Sequence, residues 1–304
     1  MGLEQFPSAE QVEYGAGRLA LLIGDDPGRL QDLRAMLAQT GLRMAGDSAK
    51  AEAPDRLDRQ IALGLAWADL GAEWPDDALV ERLRVLADSG TEVIVSIAPT
   101  LIDAADAAFA DRPVQLLVDP DMIEQAGALS LALSATPAVG RVNDVGRDSS
   151  TKLRQLSDEV GRIAASLARL STAPDEPRRS AIAVREDGPA PTVDGERIRA
   201  VIRARRMRAR FFDEELFADP AWDMLLDLLQ AEIAQHRVPV SSLCIAAAVP
   251  ATTALRWIKT MTEAGLFVRR ADPHDGRRIF VELAPPASAA MRQYFAETAE
   301  VAGI

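Results

Sequence analysis

Two arginine pairs, Arg269–Arg270 and Arg277–Arg278, flank one short turn in the run GLFVRRADPHDGRRIFVEL, residues 265–283. Guanidinium groups gathered on a narrow hairpin suit a polyanion, because each is permanently charged and donates hydrogen bonds in a fixed fork. Just upstream, Thr252, Thr253, Leu255, Arg256 and Lys259 recur on one side of the helical pattern PATTALRWIKTMTEAG. On a helix lying in a major groove, arginine can read guanine and apolar groups can touch the thymine methyl. Ser241 and Ser242, in the short helical run before it, complete this candidate set.

The elements that must hold these residues are legible around them. Asp219-Pro220 gives an N-cap and a first-turn proline ahead of the helix AWDMLLDLLQAEIAQHR. VSSLCIAAAV reads as a second, short helix, and Pro250 opens a third that Gly265 closes. Ala254, Trp257, Ile258 and Met261 recur at helical spacing, and on this reading they form the buried face of the third helix. LFVRRADP and RRIFVEL then read as two strands about a tight HDG turn. Helix, helix-turn-helix and hairpin together make a winged helix-turn-helix.

This stretch resembles the multiple-antibiotic-resistance regulator (MarR) family over about residues 215–295. DPHDGRRIFVEL is similar to that family's D-x-x-D-x-R-x-x-x-V-x-L wing signature, with Asp272, Asp275 and Arg277 at its polar positions and Val281 and Leu283 at its apolar ones. Thr253, Arg256, Ile258, Met261 and Gly265 match the recognition helix. Leu255 departs from the small polar residue usual there. The resemblance implies double-stranded DNA as partner, a recognition helix in the major groove, a wing at the minor groove, and a homodimer.

Net charge, −12 for the whole chain, conceals an asymmetry. Residues 1–172 hold 16 Lys/Arg against 27 Asp/Glu, whereas residues 197–283 hold 14 against 11. A basic module joined to an acidic one is the expected organisation. Upstream of the helix-turn-helix, Arg199, Arg203, Arg206 and Arg210 lie at helical spacing on one stripe. Three roles stand equal for it: gripping phosphates, docking on the acidic domain, or flanking a dimerisation helix.

The acidic half alternates apolar strands with amphipathic helices. LALLIG (19–24), IALGLAWA (61–68), TEVIVSIA (91–98) and VQLLVD (114–119) read as strands of a parallel sheet covered on both faces. In a doubly wound sheet ligands sit at the carboxyl ends of the strands, where Asp25, Asp26, Asp69, Ser96 and Asp119 would gather. This half is similar to a two-component receiver domain. Asp25 and Asp26 match the magnesium-binding acidic pair, Asp69 the phospho-acceptor and Ser96 the phosphoryl-sensing hydroxyl. Two departures stand out: Asp119-Pro120 occupies the place of the receiver's lysine-proline, and Pro75 falls two places late. The resemblance therefore implies the fold with a vestigial phosphorylation site, the domain serving for signal input or as a surface for another signalling protein.

Between the two modules, Leu153, Leu156, Val160, Ile163, Leu167 and Leu170 form a heptad seam. A dimerising coiled coil over 150–171 is the favoured reading, and a helix packed on its own domain is the alternative. Residues 172–196 carry four prolines, many charges and few large apolar groups, as a linker does. The expected layout is thus an extension at 1–17, a receiver-like α/β domain at 18–135, the coiled coil, the linker, and a winged helix domain at 197–304.

Several functions find no support in the residues. One cysteine, Cys244, forms no internal disulfide, and its position on an apolar helix face predicts burial. Two histidines and that cysteine are not spaced for a metal. No Ser/His/Asp set or phosphate-binding glycine loop appears, so neither an enzyme nor a cofactor is expected. Neither a signal peptide nor a bilayer-spanning run is read, so a cytoplasmic protein without membrane contact is expected. The expected protein is a homodimeric DNA-binding transcription regulator. Its rivals are a signalling adaptor that binds proteins through both domains without DNA, and a regulator with a working phospho-acceptor.

Overall fold

The computed structural model describes residues 19–60, 63–134, 191–212, 214–275 and 277–301. The expected N-terminal extension, the Leu153–Leu170 seam, Gly276 and most of the linker lie outside the described residues. The chain divides into two compact units, Met1–Ala132 and Leu133–Ile304.

In the first unit, β1 (Leu19–Gly24), β2 (Arg43–Ser48), β3 (Leu63–Gly71), β4 (Glu92–Ile97) and β5 (Val114–Val118) form one parallel sheet in the order β2-β1-β3-β4-β5. The connecting helices are α1 (Pro27–Ala38), α2 (Ala53–Arg59), α3 (Asp77–Asp88), α4 (Ile102–Phe109) and α5 (Met122–Ser134). Strands buried on both faces need continuous apolar sequence, and β1, β3 and β4 supply it: Ala20–Ile23, Leu65–Ala68 and Val93–Val95 are almost wholly inaccessible. The sequence reading anticipated four strands; the structure adds β2. Its RMAGDS buries only Ser48, because it lies at the sheet edge.

This order reverses direction between β1 and β3, so their carboxyl ends open onto a crevice at the topological switch point. Gly24 permits the two strand ends to close up. A Cβ there would stand 3.1 Å from the Asp69 carbonyl oxygen.

The second unit begins with α6 (Gly195–Met207), capped by Asp194, whose side chain accepts from the Glu196 amide. There follow α7 (Pro220–Ala234), β6 (Val238–Pro239), α8 (Val240–Ala246), α9 (Ala251–Glu263), β7 (Phe267–Ala271), β8 (Ile279–Leu283) and α10 (Pro285–Val301). β6, β8 and β7 make a small antiparallel sheet. Met224, Leu229, Leu243, Ile258, Phe267 and Val281 form the core that joins helices to sheet. Asp219 caps α7 as its sequence predicts, accepting from the Trp222 amide at 3.3 Å. Gly265, at φ +75, ends α9 with two reversed bonds, Leu266 N–H to Met261 O and Gly265 N–H to Thr262 O. That pairing satisfies carbonyls the helix leaves open, and glycine adopts the left-handed backbone without a Cβ clash. The fold is therefore a doubly wound α/β domain followed by a winged helix domain.

Candidate nucleic-acid interface and acidic crevice

The helix-turn-helix is built by α8, the turn Ala247–Pro250 and α9. The buried face of α9 comprises Thr252, Ala254, Leu255, Ile258 and Met261. Two features of the sequence reading are corrected here. Thr252 and Leu255, expected toward a groove, are 3% and 6% exposed, whereas Trp257, expected in the core, is 38% exposed. At about 100° per residue, Leu255 falls between Ile258 and Thr252, inside the buried arc, whereas Trp257 falls beyond Met261, at its margin. The outer face thus presents Arg256 and Trp257, both exposed, flanked by half-buried Thr253 and Lys259. Thr260 Oγ1 donates to the Arg256 carbonyl at 2.9 Å. On α8, Ser242 is exposed and Ser241 half-buried, while Cys244 is buried as expected.

The hairpin owes its shape to its aspartates. Asp272 Oδ1 accepts from the His274 amide at 2.8 Å, and Asp275 Oδ1 accepts from the Arg277 amide at 3.1 Å. Cross-bonds from Asp272 N–H to Arg278 O and from Arg278 N–H to Asp275 O close the turn. Aspartate side chains commonly fold a turn this way, by bonding backbone two residues on. Arg277 and Arg278 are left exposed, the latter 3.4 Å from Asp275 Oδ2. Arg270 pairs with Glu282 at 3.3 Å, and Arg269 is half-buried on β7.

In the first unit, the crevice gathers Asp25, Asp26, Asp69, Ser96 and Asp119 near the strand ends. Their chemistry differs from that of an open acidic site. Asp26 is committed to capping α1, accepting from the Gly28 and Arg29 amides. Arg29 also places Nη1 3.5 Å from Asp69 Oδ1. Lys50 Nζ lies 3.2 Å from Asp25 Oδ2 and donates to the Leu70 and Glu73 carbonyls. Burial pushes the Asp69 carboxyl above its ordinary range, and the Arg29 guanidinium opposes that shift. Ser96, beside Asp69 in register, accepts a 2.9 Å hydrogen bond from the buried Trp67 indole N–H. Asp119 is exposed, at φ 45.

A divalent cation of the receiver type requires several convergent oxygens. Among the described residues no group of three or more His, Cys, Asp or Glu is placed to hold a metal ion. Two cations of the chain itself already compensate these carboxylates. The residues present do not fit a magnesium site.

Sequence reasoning missed Arg29, Lys50, Trp67 and Trp257. Arg29 reaches the crevice from the first turn of α1 and Lys50 from the turn after β2, so only the topology brings them to it.

Residues 225–287 match the family model described as a winged helix DNA-binding domain. The C-terminal unit is a winged helix domain. No curated protein matches the chain. Among solved structures, it is similar to a response regulator receiver protein from Sinorhizobium medicae, at 20% identity, covering 40% of this chain and 94% of that one, with TM-score 0.33. It is also similar to a probable transcriptional regulator from Pseudomonas aeruginosa, at 23% identity, 34% and 75% coverage and TM-score 0.23. A third similarity is to a homodimeric winged helix-turn-helix DNA-binding domain from Mycobacterium bovis, at 18% identity, 37% and 91% coverage and TM-score 0.21. No single helix among the described residues is long and apolar enough to cross a membrane.

Proposed function

We propose that this chain is a MarR-like transcription regulator, cytoplasmic and not an enzyme, which binds double-stranded DNA as a homodimer. α9 enters the major groove, and the β7–β8 hairpin reaches an adjacent minor groove. The observation that carries this reading is the joint exposure of Arg256 on α9 and of Arg277 and Arg278 on the turn that follows it. Isolated surface arginines are ordinary. Cations on both a recognition helix and its wing answer the two surfaces that a duplex offers such a fold.

The Leu153–Leu170 seam is the proposed dimer contact, since two copies would present two recognition helices to two half-sites. The first unit serves as an input or protein-interaction domain and not as a phospho-acceptor. Arg29 and Lys50 already pair with Asp69 and Asp25, and Asp119 stands where a receiver holds its lysine.

A gel shift of the full-length protein against genomic fragments tests the reading. Retarded fragments whose retardation is lost in an Arg256→Ala/Arg277→Ala variant are the expected result. Absence of any shift, even at low salt, would overturn it in favour of the adaptor. Charged substitutions at Val160 and Ile163 should lower the mass measured by light scattering; an unchanged mass would remove the seam from the dimer.

A further inference from the structure

The segment that joins α6 to α7 carries an apolar surface that DNA binding leaves unused. Met207, Phe211, Phe212, Leu216 and Phe217 are all exposed, Phe211 by 73% and Leu216 by 71%. Single exposed apolar residues are ordinary, whereas a contiguous patch of them marks an interaction surface.

The patch is held in shape by its own contacts. The Phe212 and Phe217 rings meet edge to face with centroids 5.5 Å apart, and the Arg208 guanidinium stands over Phe217 at 5.1 Å. Behind it Arg205 Nε donates to Asp223 Oδ1 at 2.6 Å and ties the end of α6 to α7. Two 3-10 turns, Arg208–Arg210 and Glu214–Phe217, lie on either side of the Phe211–Phe212 corner.

The order of residues indicates what covers this surface. Outward from the Phe211–Phe212 peptide bond, MRARF and FDEEL mirror one another in type with the charge inverted. Arg210 answers Asp213, Arg208 answers Glu215 and Met207 answers Leu216; the remaining couple, Ala209 and Glu214, brings no like charges together. Asp213 lies outside the described residues and belongs to the pattern by sequence alone. A two-fold interface makes every contact twice, residue i against j and j against i. A second copy of the segment, turned about an axis at the corner, therefore sets phenylalanine against phenylalanine and each basic run against an acidic one. A partner of a single charge sign, nucleic acid or acidic protein, meets repulsion from one half or the other.

We propose that the Met207–Leu216 segment is a self-complementary contact between two copies of this chain, which joins their winged helix units directly. The proposal rests on the homodimer reading above and adds a second contact to the Leu153–Leu170 seam. A patch of this size pairs free chains weakly. Between copies already joined by the seam, closure is intramolecular, and the effective concentration rises to the order of millimolar. The contact fixes the distance between the two recognition helices, and with it the half-site spacing that the dimer accepts.

The test uses the full-length protein with Phe211→Cys as probe. Cys244 is the sole natural cysteine and is buried, so the introduced thiol is the one an added copper–phenanthroline oxidant reaches. Val85→Cys, also exposed, is the control. Circular dichroism checks the fold of each variant, and light scattering its mass. Phe211→Cys should form a disulfide-linked dimer on a non-reducing gel well before Val85→Cys does. Arg210→Glu added to the probe should lower the linked fraction several-fold, and Asp213→Arg added to that should recover it. If the mass is dimeric but Phe211→Cys links no faster than Val85→Cys, the contact is overturned and the homodimer reading stands. A linked fraction indifferent to Arg210→Glu would also overturn it, because the charge mirror is what names a second copy as the partner. A monomeric mass for the unaltered protein would overturn both.

Discussion

Arg29 Nη1 lies 3.5 Å from Asp69 Oδ1, and that guanidinium is the nearest cation to a carboxylate only 5% exposed. The pair is lopsided: Arg29 is half in solvent, and Asp69 sits at the buried carboxyl end of β3. Coulombic attraction to a solvated cation is weak, so desolvation dominates and the Asp69 carboxyl is pushed above its ordinary range.

A raised carboxyl has a defined consequence for stability. The folded state binds its proton more tightly than the unfolded state does. Stability is therefore lost as pH rises from the ordinary carboxylate value through the folded one, and the cost is complete at neutral pH. Asp69→Asn is expected to raise the melting temperature at neutral pH, with the gain vanishing as pH falls below the carboxylate range. Differential scanning calorimetry across pH measures it. A gain that persists undiminished in acid would show that ionisation is not its source.

The same geometry bears on phosphoryl chemistry. A carboxylate acquiring a phosphoryl group needs cations to hold the incoming charge. Asp69 faces one guanidinium that is half in solvent, and Asp119 adds an anion at the crevice. Acetyl phosphate with magnesium is expected to leave the intact mass unchanged. A mass gain that disappears in Asp69→Asn would restore the phospho-acceptor reading.

What the sequence disclosed, and what it concealed, follows from periodicity. β1, β3 and β4 are legible because strands inside a parallel sheet are apolar throughout, and β5, though at the other edge, keeps the apolar run VQLLV. β2 is not, because an edge strand such as RMAGDS need satisfy only one neighbour. On α9 the helix was evident but its phase was not: Trp257 looks like core by type, whereas Leu255 occupies the core by angle. The wing aspartates were legible as a motif, and their role as acceptors for the His274 and Arg277 amides required coordinates. The cations at the crevice were hidden for a different reason. Lys50 and Asp25 are distant along the chain and meet only because β2 lies beside β1.

Two arginines of α6 differ in their surroundings, Arg205 being paired and mostly buried and Arg203 exposed. Arg205 and Asp223 are each less than a fifth exposed and joined at 2.6 Å. Removing the guanidinium leaves a largely desolvated carboxylate and loosens α6 from α7. Arg205→Ala should cost roughly 1–3 kcal/mol, read as a lower urea midpoint at unchanged m-value. Arg203→Ala, at an exposed position, should stay within about 0.5 kcal/mol. Equal losses for the two would mean that the Arg205–Asp223 pair does not fasten α6 to α7.

The hairpin and the recognition helix should fail in different ways. Asp275 fixes the backbone at Arg277, so the Arg277 side chain projects from a turn already formed before DNA arrives. A wing arginine at a minor groove meets a degenerate pattern of acceptors and a deep negative potential. Arg277→Ala should therefore weaken binding to operator and scrambled duplexes alike, and flatten the salt slope by about 0.9. Arg256 is exposed on α9, and on the proposed docking it would face the major groove, where a fork can select guanine. Arg256→Ala should cost about 1–3 kcal/mol on the preferred sequence and much less on scrambled DNA. Fluorescence anisotropy on both duplexes over a salt series separates the two signatures. If Arg277→Ala stays folded and matches the unaltered protein on both, the hairpin is not at the DNA. If Arg256→Ala loses equally on both duplexes, α9 contacts phosphates and reads no base.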